Sequence, residues 1–171
     1  MPPDPEIYAL AQQVGERLVT LRKSIAVAES CTGGLLGAAL TDVPGSSAYF
    51  LGGVISYADQ VKRDQLGVSE ATLRRYGAVS EQTAAAMASG VRQLLRADVG
   101  VSITGVAGPK AEGSKPVGLT FIGIAIPTRP SPRGGGESVS THRFQWTGDR
   151  WDNRRRSVIA ALELLVRAPE L

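Results

Sequence analysis

The segment Val99–Thr104 does most to limit what this chain can fold into. It is a short run without a charged side chain, and it reads as a strand buried on both faces. A strand of that kind needs helices above and below it, and the flanking sequence supplies them. Ile7, Leu10, Ala11, Val14, Leu18 and Leu21 recur at three- and four-residue spacing, which predicts an amphipathic helix from about Pro5 to Lys23. Ser24–Glu29 reads as a short strand, Leu35–Thr41 as a helix and Phe50–Tyr57 as a second strand. The paired Gly52 and Gly53 predict a bulge or a close backbone approach there.

Further along, Ala58–Leu66, Ser69–Tyr76 and Glu81–Leu95 read as helices, the last begun by Ser80 as N-cap with Glu81 in its first turn. Val117–Ile126 is another strand and Val139–Trp146 an edge strand. Asp149 caps a final helix, Arg150–Val166. Between the last two strands, Pro127–Glu137 carries three Pro and three consecutive Gly, which predicts a flexible, hairpin-like connection. Helices alternating with strands give the α/β class: a three-layer α/β/α sandwich around a mixed, mostly parallel sheet, with residues 1–171 as a single domain.

The chain has one cysteine, Cys31, and one histidine, His142, and that scarcity narrows the chemistry. One cysteine forms no internal disulfide. The two residues together do not make the usual zinc ligand set. A Ser-His-Asp triad would have to run through His142, which otherwise reads as an ordinary surface or packing residue. Met1 is followed by Pro-Pro-Asp-Pro rather than by a basic and then apolar leader. No stretch approaches the roughly 20 apolar residues of a membrane helix. The expected location is the cytoplasm, with no membrane partner. A net charge of +3 permits an anionic ligand without requiring nucleic acid.

Four segments hold candidate chemistry. Ser30-Cys31-Thr32-Gly33-Gly34 follows the first strand, where open α/β sheets place their sites. Free N–H groups at the following helix could bind an oxyanion or phosphate. A plain N-cap role for Ser or Thr is the alternative there. Cys31, behind an apolar strand with no neighbouring His, reads as a packing residue. Tyr57 and Lys62 could face one cleft, and a lysine that is desolvated, or set among other cations, can serve as general base without histidine. A solvated surface lysine is the competing reading. Ser102–Pro109 is another strand end followed by glycines. Beyond it, Gly108–Lys115 misses a P-loop because Gly-Ser-Lys stands where Gly-Lys-Ser is required. Last, Arg150 and Arg154 can share a helix face toward a phosphate or carboxylate. A solvated basic face, or a nucleic-acid surface using Trp146 and Trp151, remains open for that segment.

In order along the chain stand Ala28-Glu29-Ser30-Cys31-Thr32-Gly33-Gly34, Pro44-Gly45-Ser46-Ser47, Tyr57 with Lys62, Gly77-Ala78-Val79-Ser80-Glu81, Ser102–Pro109, Lys115-Pro116-Val117-Gly118 and Gly148-Asp149-Arg150. With this set the chain resembles the CinA C-terminal domain family, the nicotinamide-nucleotide amidases. Many relatives carry a further N-terminal domain, so the resemblance is to the stand-alone form. It implies hydrolysis of the carboxamide of nicotinamide mononucleotide to nicotinate mononucleotide and ammonia, a salvage step toward NAD, without metal or cofactor. It also implies Ser30 as nucleophile, Lys62 as its base and Tyr57 as their helper. Thr104 and Gly105 would line the nicotinamide end, and Arg150 would hold the phosphate. N–H groups around Thr32, Gly33 and Gly34 are expected to face the oxyanion. The expected partners are a small nucleotide substrate and a second copy of the chain in a homodimer. A non-catalytic nucleotide- or nucleic-acid-associated domain is the alternative function.

Overall fold

A computed structural model describes residues 3–128, 136–169 and 171. Residues 129–135, most of the expected hairpin-like connection, lie outside the described residues. Five strands form one mixed sheet in the order β2 (Phe50–Ile55), β1 (Ile25–Glu29), β3 (Val99–Gly105), β4 (Leu119–Pro127) and β5 (Glu137–Gln145). β1 pairs in parallel with β2 and β3, while β4 runs antiparallel to both β3 and β5. The strand expected to lie on the edge is β5, and β2 forms the opposite edge.

Helices α1 (Pro5–Leu21), α2 (Leu35–Thr41) and α6 (Arg150–Arg167) cover one face, and α3 (Asp59–Leu66), α4 (Glu70–Tyr76) and α5 (Glu81–Leu95) lie on the other. The two-residue period of β1 divides the core accordingly. Ile25 and Val27 join Leu18, Leu36, Leu40 and Leu162 on one face, whereas Ala26 and Ala28 join Met87 and Val91 on the other. The second face is built from small side chains, which bring α5 onto the sheet. A Cβ on Gly100 would stand 2.2 Å from the Ala88 carbonyl oxygen.

Several ends follow from local chemistry alone. The Ser80 hydroxyl accepts the Thr83 N–H, and the Asp149 carboxylate accepts the Asp152 N–H, so α5 and α6 begin where the sequence predicts. The Gly52–Gly53 pair does both things expected of it. The β1–β2 register shifts between Ile25 and Ala26, and a Cβ on Gly53 would lie 2.5 Å from Val27 Cγ2.

The topology also sets the place of the site. From β1 the chain passes through α2 on one face to β2, and it returns through α3, α4 and α5 on the other face to β3. The C-terminal ends of β1 and β3 are thus adjacent strand ends whose connections diverge, which leaves a crevice between them. Among the described residues, no helix is long and apolar enough to cross a membrane.

Candidate active site

A cavity of about 350 Å³ opens at this crevice, lined by residues that include Ser30, Lys62, Tyr57, Gly105 and Arg150. At its floor, Lys62 Nζ lies 3.2 Å from Ser30 Oγ. Lys62 is only 1% exposed, so the surface-lysine reading falls. Its amine also donates to the carbonyl oxygens of Ser56 at 2.7 Å and Tyr57 at 3.1 Å. A neutral amine has two N–H bonds and one lone pair. With both N–H bonds spent on those carbonyls, the lone pair is left for the Ser30 hydroxyl proton.

Burial holds the Lys62 ammonium below the ordinary lysine range, against the opposing pull of Asp59, Glu112 and Cys31. The Asp59 carboxylate lies 3.8 Å from Nζ. A surrounding excess of positive charge is therefore not what lowers this lysine; loss of water is. Burial also pushes the neighbouring Cys31 thiol up to about 12, which removes the thiolate a cysteine nucleophile would need at neutral pH. The packing reading of Cys31 stands. His142 lies in β5 and lines a separate depression beside Ile124 and Leu164.

The turn after β1 is arranged differently from expectation. Gly33 and Gly34 both take positive φ, 61° and 98°, and Gly34 precedes α2 without a side-chain cap bond. Neither Ser30 nor Thr32 acts as N-cap. The cap is the buried carboxylate of Glu29, which accepts the N–H groups of Gly34 (3.1 Å), Leu36 (3.1 Å) and Gly37 (2.8 Å). The Gly33 N–H donates to the Ser30 carbonyl oxygen at 3.1 Å. The glycine N–H groups are thus already engaged, and an oxyanion role for Gly33 and Gly34 does not hold. The Cys31 N–H turns to its own sulfur, and among the described residues the Thr32 N–H is not spent on another main-chain acceptor. The Thr32 hydroxyl is buried without a partner, and the Thr32 carbonyl oxygen accepts from Arg154 at 2.8 Å.

One other expected position, Thr104, needs correction. Thr104 is fully buried, and its hydroxyl donates to the Ala78 carbonyl oxygen at 2.8 Å. It fixes the Ala78–Val79 wall instead of touching the cavity, while Gly105 does line it. Tyr57 serves the pair through its carbonyl oxygen. Its phenol, 61% exposed side chain, accepts instead from Arg150 at 3.1 Å. Arg150 also donates to the Gly108 carbonyl oxygen at 2.6 Å, which fixes a guanidinium at the cavity wall. Arg154, expected beside it, turns to the Ser30–Gly34 turn and stacks over Trp151.

Glu29 is the residue that reading the sequence for chemistry passed over. Its signal was present: a carboxylate closing an otherwise apolar strand is costly to bury unless it is fully hydrogen-bonded. No three His, Cys, Asp or Glu side chains gather as a metal ligand set among the described residues.

Comparison with known proteins finds relatives along most of the chain. The family model described as CinA C-terminal domain matches residues 7–168. A CinA-like protein of Thermosynechococcus vestitus is 49% identical over 161 residues, covering 92% of this chain and 37% of that protein. The chain therefore spans little more than a third of the length of such curated relatives. The crystal structure of competence/damage inducible protein CihA from Agrobacterium tumefaciens superposes with a TM-score of 0.86 at 38% identity, covering 97% of this chain and 98% of that one. The competence damage-inducible protein A from Klebsiella pneumoniae gives 0.87 at 31% identity, with 95% and 96% covered.

Proposed function

The chain belongs to the CinA C-terminal domain family, and from that premise we propose that it hydrolyses the carboxamide of nicotinamide mononucleotide to nicotinate mononucleotide and ammonia. The observation that carries the reading is the buried Lys62 amine, 3.2 Å from the Ser30 hydroxyl at the floor of a cavity with Arg150 in its wall. That distance is within reach for direct proton transfer.

In this mechanism neutral Lys62 takes the Ser30 proton as Oγ bonds to the carboxamide carbon. The carbonyl oxygen becomes an oxyanion, and the Thr32 N–H is the turn donor left to receive it. Such a donor contributes roughly 3–4 kcal/mol in well-studied hydrolases. The new ammonium of Lys62 then gives its proton to the departing nitrogen as the C–N bond breaks. Water, deprotonated by the regenerated amine, releases the acyl group from Ser30. Arg150 binds the substrate phosphate, and this remote contact orients the amide over the pair.

The test is ammonia and nicotinate mononucleotide release by the purified chain in the presence of EDTA, with nicotinamide and its riboside alongside. Turnover of the mononucleotide, absent in Ser30→Ala, is the expected result. No turnover by the folded wild type, or full turnover by Ser30→Ala, would sink the reading.

A further inference from the structure

The turn that carries Ser30 is gripped from two sides by opposite charges, and neither has a place in the chemistry just described. On one side Glu29, 1% exposed, gathers the N–H groups of Gly34, Leu36 and Gly37 into its carboxylate. On the other, the Arg154 guanidinium donates to the Thr32 carbonyl oxygen and lies 3.6 Å from where a Gly33 Cβ would stand. Glu29 reaches the base as well. Its own carbonyl oxygen accepts the Ser56 N–H at 2.7 Å, and the Ser56 carbonyl oxygen is the nearest acceptor of Lys62 Nζ. One residue thus joins the start of α2, the end of β2 and the lysine to the peptide that precedes the nucleophile.

A buried carboxylate with three N–H donors is a rigid anchor, because charge-assisted bonds of this kind are about twice as strong as neutral ones. It also settles which donors are left over. With the downstream N–H groups drawn toward Glu29 and the Thr32 carbonyl drawn toward Arg154, the Thr32 N–H is the turn donor left unspent. We infer that Glu29 and Arg154 are positioning residues, which hold the Ser30 turn between them so that its hydroxyl meets Lys62 and its Thr32 N–H meets the oxyanion. The inference rests on Ser30 being the nucleophile, and it deepens that reading without depending on the identity of the amide.

The test measures the rate at which a fluorophosphonate reagent labels Ser30, followed by mass spectrometry, together with turnover of nicotinamide mononucleotide. Glu29→Gln keeps the shape of the side chain but turns an amide N–H₂ toward N–H donors. Arg154→Met keeps its stem and removes the donor. Each is expected to slow labelling and kcat at least tenfold. Leu40→Ala in α2 serves as the control, since it loosens the same helix from its core side, and it is expected to stay within threefold. The pH midpoint of labelling is expected to stay within the range set by the burial of Lys62 in both variants, because each keeps that lysine out of water. A general loosening that wets the lysine would move that midpoint up toward 10.5.

A labelling rate within threefold of wild type in either folded variant removes that residue from the assignment. An equal loss in Leu40→Ala, or a raised midpoint, overturns it for both. If Glu29→Gln does not fold, Glu29→Asp, which withdraws the carboxylate by one methylene, is read against the same thresholds. A wild type that labels at Ser30 but leaves the mononucleotide intact refutes the substrate and leaves the positioning test standing.

Discussion

Replacing Lys62 by Met separates catalysis from folding. Methionine keeps most of the apolar stem and removes the amine. Loss of a positioned general base costs about 10²–10⁴ in rate, and a central value of 10³ corresponds to about 4 kcal/mol in the barrier. KM is expected to move less than about threefold, because Lys62 sits at the cavity floor while Arg150 lies in its wall. The fold loses two donors, those to Ser56 and Tyr57. At about 1 kcal/mol each and roughly 2–4 °C per kcal/mol for a chain of this size, Tm falls by no more than about 4–8 °C. Relief of amine burial offsets part of that. The pH dependence of stability adds a second reading. The folded lysine binds its proton less tightly than the unfolded value of 10.5, so between the two the unfolded chain holds more protons and wild-type stability rises with pH. The Met variant lacks that rise. The assays are ammonia release at saturating substrate and thermal melts followed by circular dichroism from pH 7 to 11. A folded Lys62→Met enzyme within tenfold of the wild-type kcat would refute the argument.

Three further outcomes follow from the same geometry. Cys31→Ala is expected to keep kcat within about threefold, since a thiol pushed up to about 12 supplies no thiolate; a hundredfold loss with the fold intact would restore the cysteine as nucleophile. Asp59→Asn removes the carboxylate 3.8 Å from Lys62, so the amine loses its proton more readily and the acidic limb of the rate profile shifts to lower pH, whereas a shift to higher pH would contradict the assigned charges. Arg155 joins α6 to the start of α1 through Asp4 and Glu6 and, with backbone N–H groups, holds the Asp4 carboxyl below its ordinary 3.8. That stabilisation is present above 3.8 and fades as the carboxyl protonates, so wild-type Tm should fall more steeply below pH 4 than that of Arg155→Met; parallel curves would count against the coupling.

Much of the secondary structure was legible because its causes are local. The bounds of α2 and α5 and the caps at Ser80 and Asp149 each depend on residues within a few positions of one another. Ser30, Lys62 and Arg150 could be picked out as residue types suited to hydrolysis and phosphate binding. Their motif order was specific enough to identify the family that the comparison then showed.

What reading the sequence misplaced was direction. Thr104 carries the right hydroxyl on the right strand, yet it points to Ala78; Gly33 and Gly34 have their N–H groups already engaged. Those outcomes depend on partners tens of residues away in the chain, and local pattern carries no information about them. The sequence by itself determined which segments are helix and strand, and which side chains were available for chemistry. The tertiary structure decided the strand order that opens a crevice between β1 and β3, and the burial that strips water from Lys62. It also decided that a carboxylate at Glu29 would take the helix start for itself. The reason is physical: desolvation and hydrogen-bond competition belong to a place in space, and only the packed chain creates that place.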